Sequence, residues 1–122
     1  MTQCVARLRK ANRPVARDIT PSFNEVIHSP YRLRICALLQ PVTELEFGVV
    51  KDLLGITDAN LSKNLRVLSD ADYIQIRKET SPNRQDRRRL TWIKLTEEGQ
   101  HAVAAHVAAL EQILHTDPGI AE

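Results

Sequence analysis

The sequence predicts a mainly α fold carrying one small β-hairpin, an α+β domain that closes on a long C-terminal helix. Three observations predict it. Apolar residues recur at helical spacing in separate stretches between Pro30 and Asp70. From Tyr73 to Leu95 they alternate instead, on both sides of a polar, arginine-rich segment. From Glu97 onward an alanine-rich run returns to helical spacing. At 122 residues the chain has room for one domain, and its 43% of apolar residues suffice for a single core.

Residues 1–20 hold five Lys/Arg against one acid and show no period; Pro14 and Pro21 interrupt any long helix. They are expected to be a flexible basic arm. Phe23, Val26 and Ile27 are expected to form a short helical lead-in packed on the core. Ser29-Pro30 is a helix start, since Ser caps free N–H groups and Pro is tolerated at the first helical position. That helix should end at Gln40, before Pro41. Val42 to Glu46 reads as a short extended connection. Phe47 to Leu54 reads as a second helix, with Phe47, Val50 and Leu54 on one face and Gly55 as its stop. Thr57 or Asp58 then caps a third helix reaching Asp70 or Ala71, with Leu61, Leu65 and Leu68 inward.

Ile74 and Ile76 alternate with Gln75 and Arg77, a strand signal. Thr80 to Arg89 is polar, contains Pro82 and reads as a loop. Leu90 to Leu95 is the second strand. Thr96 caps the final helix, Glu97 and Glu98 sit where the helix dipole favours acids, and Asp117-Pro118-Gly119 ends it. The expected organisation is an arm over residues 1–20, a core over 21–95, a C-terminal helix over 96–116 and a tail over 117–122.

The net charge of +2 hides a sharp polarity: residues 57–95 carry +4 and residues 96–122 carry −5. A basic middle beside an acidic end predicts one surface for a polyanion and another facing elsewhere. The residues point to duplex DNA. Two helices joined by the tight turn Gly55-Ile56 form a helix-turn-helix. On the outer face of the third helix stand Ala59, Lys63 and Arg66, with Asn60 and Val67 beside them, groups suited to a major groove about 12 Å wide. Asn60 is expected to read an adenine edge, Arg66 or Lys63 a guanine or a phosphate, and Thr57 and Ser62 to steady the backbone. Arg84, Arg87, Arg88 and Arg89 crowd the hairpin tip with Asp86 as the only acid. They repel one another and gain by neutralising phosphates or entering a narrow minor groove. A helix-turn-helix that serves only as a protein-interaction module, without DNA binding, is the alternative; it would present an apolar or acidic third helix and a neutral hairpin.

The phrases Ile27-His28-Ser29-Pro30-Tyr31-Arg32-Leu33-Arg34-Ile35, Leu54-Gly55-Ile56-Thr57-Asp58-Ala59-Asn60-Leu61-Ser62, Leu65-Arg66-Val67-Leu68, Ala71-Asp72-Tyr73-Ile74 and Leu95-Thr96-Glu97-Glu98-Gly99 carry a resemblance. The stretch from Phe23 to Leu114 resembles the winged helix-turn-helix domains of MarR- and ArsR-like bacterial and archaeal transcriptional regulators. It is most similar to a compact subgroup whose third helix begins Thr-Asp-Ala/Gly-Asn-Leu-Ser. The resemblance implies a homodimeric repressor or activator, here expected to repress, with the third helix in the major groove and the hairpin as wing. One departure stands at Asp72, where members often carry glycine.

Val103, Val107, Leu110 and Leu114 repeat at 4-3-4 spacing, a coiled-coil seam, and the surrounding alanines admit a close partner helix. A homodimer along this helix predicts a pseudo-palindromic operator. His101 and His106 lack the i, i+4 spacing of a metal-binding pair, and the Cys or His/Asp sets of related metal sensors are missing, so no metal or other cofactor is expected. No catalytic motif argues for an enzyme. The sequence names no small-molecule effector. Cys36 lies in an apolar stretch, and Cys4 forms no cluster with it; redox control through Cys36 is the one option its thiol leaves open. The absence of a signal peptide or membrane span makes the cytoplasm the expected compartment.

Overall fold

The computed structural model describes residues 19–80 and 89–115. Its elements are α1 (Pro30–Leu39), β1 (Leu45–Glu46), α2 (Phe47–Leu54), α3 (Asp58–Asp70), β2 (Ile74–Thr80), β3 (Arg89–Leu95) and α4 (Glu97–Leu114). The expected class is met: helices around a small antiparallel sheet. Each helix begins on a side-chain cap where one was expected. Ser29 accepts from the Arg32 N–H with Pro30 following it, Thr57 accepts from the Asn60 N–H, and Thr96 accepts from the Gly99 N–H. At the end of α1 the Gln40 N–H reaches the Cys36 carbonyl, and Pro41 forbids a further turn.

Gly55 closes α2 with φ 66° and ψ 41°. A Cβ there would meet nothing within 4 Å, so the left-handed dihedral, and not space, requires glycine. Among the described residues Asp72 is the other left-handed one, at φ 65°. Aspartate tolerates this region better than most side chains. Its N–H bonds the Ser69 carbonyl at 2.9 Å and the Tyr73 N–H bonds that of Leu68 at 3.0 Å, turning the chain from α3 into β2.

The sheet has the order β1-β3-β2, with Ile74 opposite Leu95 and Thr80 opposite Arg89 at the two ends of the hairpin. Two expectations are corrected here. The hairpin arms are longer than the alternation indicated, since Thr80 and Arg89 are paired strand ends and not loop. A third strand also joins the pair: Leu45 and Glu46 lie opposite Ile93 and Trp92. Two residues are too few to show a period, and their partners lie far along the chain.

The core gathers Ile27, Ile35, Leu39, Val50, Leu61, Leu68, Ile93 and Val103, each at most 1% exposed. Cys36 is fully buried among them, and burial pushes its thiol pKa up to about 12. A thiol so held is neutral and inaccessible, which argues against redox control through it.

Residues 25–27 form a turn and not the expected helical lead-in. The Asn24 side-chain oxygen takes the Ile27 N–H at 3.0 Å, a local bond that competes with a helical one. This segment also docks on α4. Ser22 N–H donates to the Ala105 carbonyl at 3.0 Å, Asn24 N–H donates to His106 Nδ1 at 3.0 Å, and His28 Nδ1 lies 3.2 Å from His106 Nε2. The Phe23 ring covers both imidazoles, with centroids 4.7 and 4.8 Å away.

His106 is completely buried and accepts a main-chain N–H, so it is neutral, with its proton on Nε2 facing His28. Burial, then the neighbouring His28, lowers its pKa below the ordinary 6.5. The unfolded chain takes up that proton near pH 6.5 and the folded chain does not. Stability is therefore complete above that range and declines as pH falls, until His106 itself is protonated. Thermal melts across this range should show the decline, and it should shrink in His106→Gln; an unchanged slope in that variant would place the titrating group elsewhere.

Candidate nucleic-acid interface

α3 is seated by Leu61, Leu65 and Leu68, and its opposite face is open. Ala59, Ser62, Lys63 and Arg66 are exposed there, while Asn60 and Val67 are half-buried at its margins. Neither Lys63 nor Arg66 has an ion pair among the described residues. α2 is braced against the start of α3 by Lys51 Nζ, 2.9 Å from Asp58 Oδ1. That pair is exposed, so it contributes little to stability.

Two clefts border this face. One, of about 520 Å³, separates α3 from the hairpin and is lined by Ser62, Arg66 and Ser69 on the helix and by Ile76, Lys78 and Thr91 on the strands. The other, of about 440 Å³, lies where the start of α1 meets α3, between Ser29, Tyr31 and Arg32 on one side and Asn60 and Lys63 on the other. Basic and small polar groups (Arg32, Lys63, Arg66, Lys78, Ser62 and Ser69) thus stand along these clefts, with Phe47, Leu65, Ile76 and Asp70 among them on the hairpin side.

The residues expected to contact DNA differ in their surroundings. Ser62, Lys63 and Arg66 share the open face. Thr57 is engaged as the α3 cap, through its hydroxyl oxygen at 3.1 Å from the Asn60 N–H. The Asn60 side-chain oxygen accepts from Asn64 Nδ2 at 2.7 Å, so only part of its amide is available. Arg89 is exposed at the first position of β3. Arg84, Arg87 and Arg88 lie outside the described residues. A further arginine on the hairpin is already committed: Arg77 bridges Glu44 at 2.8 Å and Glu79 at 2.6 Å and stacks 5.7 Å from the Trp92 ring centroid.

On α4 the expected seam divides. Val103 is 1% exposed and belongs to the core of its own chain. Val107 is 36% and Leu114 76% exposed, Leu110 is half-buried, and Ile113, which the spacing passed over, is 59% exposed. The open apolar face therefore occupies the second half of the helix. The structure also brings out two groups that sequence reasoning missed. One is the buried Asn64, bonded to Arg32 and Asn60; the other is the His28–His106 pair. Separations of 32 and 78 residues left no local signal for either.

Among the described residues there is no group of three or more His, Cys, Asp or Glu able to hold a metal ion, and no helix long and apolar enough to cross a membrane.

Comparison with known proteins agrees with this geometry. The family model described as winged helix DNA-binding domain matches residues 31–114. Over 89 residues the chain is 28% identical to the uncharacterized protein MJ0432 of Methanocaldococcus jannaschii, covering 73% of this chain and 92% of that one. In fold it is similar to a transcriptional regulator homologue from Pyrococcus horikoshii, with a TM-score of 0.68 at 22% identity over 75% of this chain and 86% of that chain. It is also similar to the adhesin competence repressor of Streptococcus pyogenes, with a TM-score of 0.55 at 19% identity over 93% and 76% of the two chains. The resemblance carried by the sequence phrases is met at the level of the winged helix.

Proposed function

Because this chain belongs to the family of winged helix DNA-binding domains, we propose that it is a sequence-specific regulator of transcription that binds duplex DNA as a homodimer and represses. In this reading α3 enters the major groove. The hairpin is the wing, and Arg84, Arg87, Arg88 and Arg89 at its tip lie on the phosphate backbone or in the minor groove. The observation that carries it is the open face of α3, where Ser62, Lys63 and Arg66 stand on a helix fixed by the core, flanked by a cleft leading to the hairpin. The helix fits a major groove in width, and the wing cations would displace counterions from the backbone. The exposed Ser62, Lys63 and Arg66 of that face are polar or basic, which favours a phosphate-bearing partner over a protein one. The organisation into arm (1–20), core (21–95), C-terminal helix (96–116) and tail (117–122) follows, with the arm adding unspecific attraction to phosphates. Such a protein works beside its DNA, in the cytoplasm of a prokaryotic cell, without a cofactor and without catalysis.

The test is a titration of the protein with random and selected duplexes at several salt concentrations. Affinity should fall steeply with salt, and Arg87→Ala with Arg88→Ala, which removes two arginines from each of the two wings of the dimer, should weaken binding to every sequence by about tenfold or more while flattening the salt slope by about three to four. Arg66→Ala should instead change which sequences are preferred. Equal binding of all duplexes by the double wing variant and the parent would remove the wing from the interface.

A further inference from the structure

The inner face of α3 carries one polar residue. Asn64 stands in the stripe of Leu61, Leu65 and Leu68 and is 4% exposed. A buried amide is strongly destabilising unless its groups are paired, and here they are. Its Oδ1 accepts from Arg32 Nη1 at 3.0 Å. Its Nδ2 donates to the Asn60 main-chain oxygen at 2.9 Å and to Asn60 Oδ1 at 2.7 Å. Arg32 is anchored in turn, its Nε donating to the Val26 carbonyl.

The chemistry of this chain runs in one direction. A guanidinium has donors and no acceptor, so the oxygen of Asn64 must face Arg32. Its NH2 group must then face Asn60, and a donor there can be met only by an acceptor. Asn60 therefore turns its oxygen inward and leaves its NH2 group toward the outer cleft that it shares with Lys63 and Tyr31.

We propose that Asn60 reads its base as a hydrogen-bond donor, with Arg32 and Asn64 as positioning residues that set this polarity; the proposal rests on α3 entering the major groove. An asparagine that recognises adenine with two bonds must turn both Oδ1 and Nδ2 to the base. The Asn60 oxygen accepts one bond from Asn64 Nδ2 and keeps a second lone pair, but that bond holds it turned inward, so the donor reading takes the place of the two-bond adenine geometry. A lone NH2 donor suits guanine best, since N7 and O6 accept side by side; adenine N7 and thymine O4 each offer a single acceptor, and cytosine, whose major-groove edge offers an amino group, suits it least.

The experiment selects bound sites from a random duplex pool with the parent, Asn60→Ala and Asn64→Asp. Asn64→Asp keeps the shape and the acceptor for Arg32 but removes the donor to Asn60, which frees Asn60 to turn its oxygen outward. The parent should prefer guanine at one position of each half-site, Asn60→Ala should lose that preference, and Asn64→Asp should move it toward cytosine or adenine. With no variant at all, 7-deazaguanine at that position should weaken the parent about tenfold by removing one acceptor. Adenine at that position in the parent, or full tolerance of 7-deazaguanine, overturns the proposal. Asn64→Asp sharing the parent's preferences while Asn60→Ala loses them overturns the positioning role and leaves the functional reading standing. A parent that binds no duplex overturns the functional reading and the proposal with it.

Discussion

Gly99→Ala should lower the stability of the folded chain by about 3 kcal/mol or more, a large part of what a domain this size possesses. A Cβ at Gly99 would lie 2.0 Å from the Tyr73 carbonyl oxygen and 3.1 Å from Leu95 Cδ2. The carbonyl cannot simply move aside, since it accepts the Thr96 N–H at 2.9 Å. Thr96 in turn donates its hydroxyl to the Asp72 carbonyl at 2.7 Å while capping Gly99. The first turn of α4 is thus pressed backbone to backbone against the turn leading into β2, and glycine is the residue that permits it. Gly48→Ala is the matched control. It lies in the first turn of α2, where the nearest atom to a new Cβ is the movable Glu46 carboxylate at 3.0 Å. Alanine favours a helix interior by about 1 kcal/mol over glycine, so that variant should be neutral or stabilised. Denaturant unfolding reads both, and a Gly99→Ala protein as stable as its parent would refute the contact.

What was legible in the sequence and what was not divides along physical lines. Ser29-Pro30, Gly55, Thr57 and Thr96 act on their own neighbours, through caps and a left-handed dihedral, so they placed helix ends to within a residue. The stripe of Leu61, Leu65 and Leu68 declared which face of α3 turns inward, and with it the open face of Ser62, Lys63 and Arg66. Contacts between distant segments were silent. β1 depends on pairing with Ile93 and Trp92, and Asn64 looked like one more polar helix residue until Arg32 came beside it. Val103 continued the heptad of Val107, Leu110 and Leu114, yet a periodicity cannot say whether a valine meets its own core or a second chain. The close approach of Gly99 to Tyr73 is of the same kind, since nothing local announces it.

Replacing Val107 and Leu114 together with aspartate should leave a folded monomer whose affinity for an operator is about a hundredfold weaker or less. Leu114 is open to solvent at 76%, and Val107, at 36%, lies outside the core cluster, so charges at these positions spare the core itself. In a dimer built on this face they would be buried opposite like charges and unpaired, a heavy desolvation penalty. Single substitution at Val103 would not discriminate, because its 1% exposure makes loss of folding the expected outcome. The DNA effect follows from linkage: in the proposed dimer two α3 helices on one two-fold axis would engage half-sites about one helical turn apart, and the second engagement would be intramolecular. Losing it should also roughly halve the salt slope, because half of the phosphate contacts leave with the second wing. Sedimentation reads the assembly, and a salt titration of operator binding reads the coupling. A variant that still sediments as a dimer would move the interface off α4, whereas a monomer binding as tightly as the parent would mean that one wing and one α3 suffice. The charge distribution favours the dimeric outcome. The −5 of residues 96–122 is repelled by phosphate, so α4 does best on the side of the protein away from DNA. There its apolar second half has water or a second copy of itself to meet.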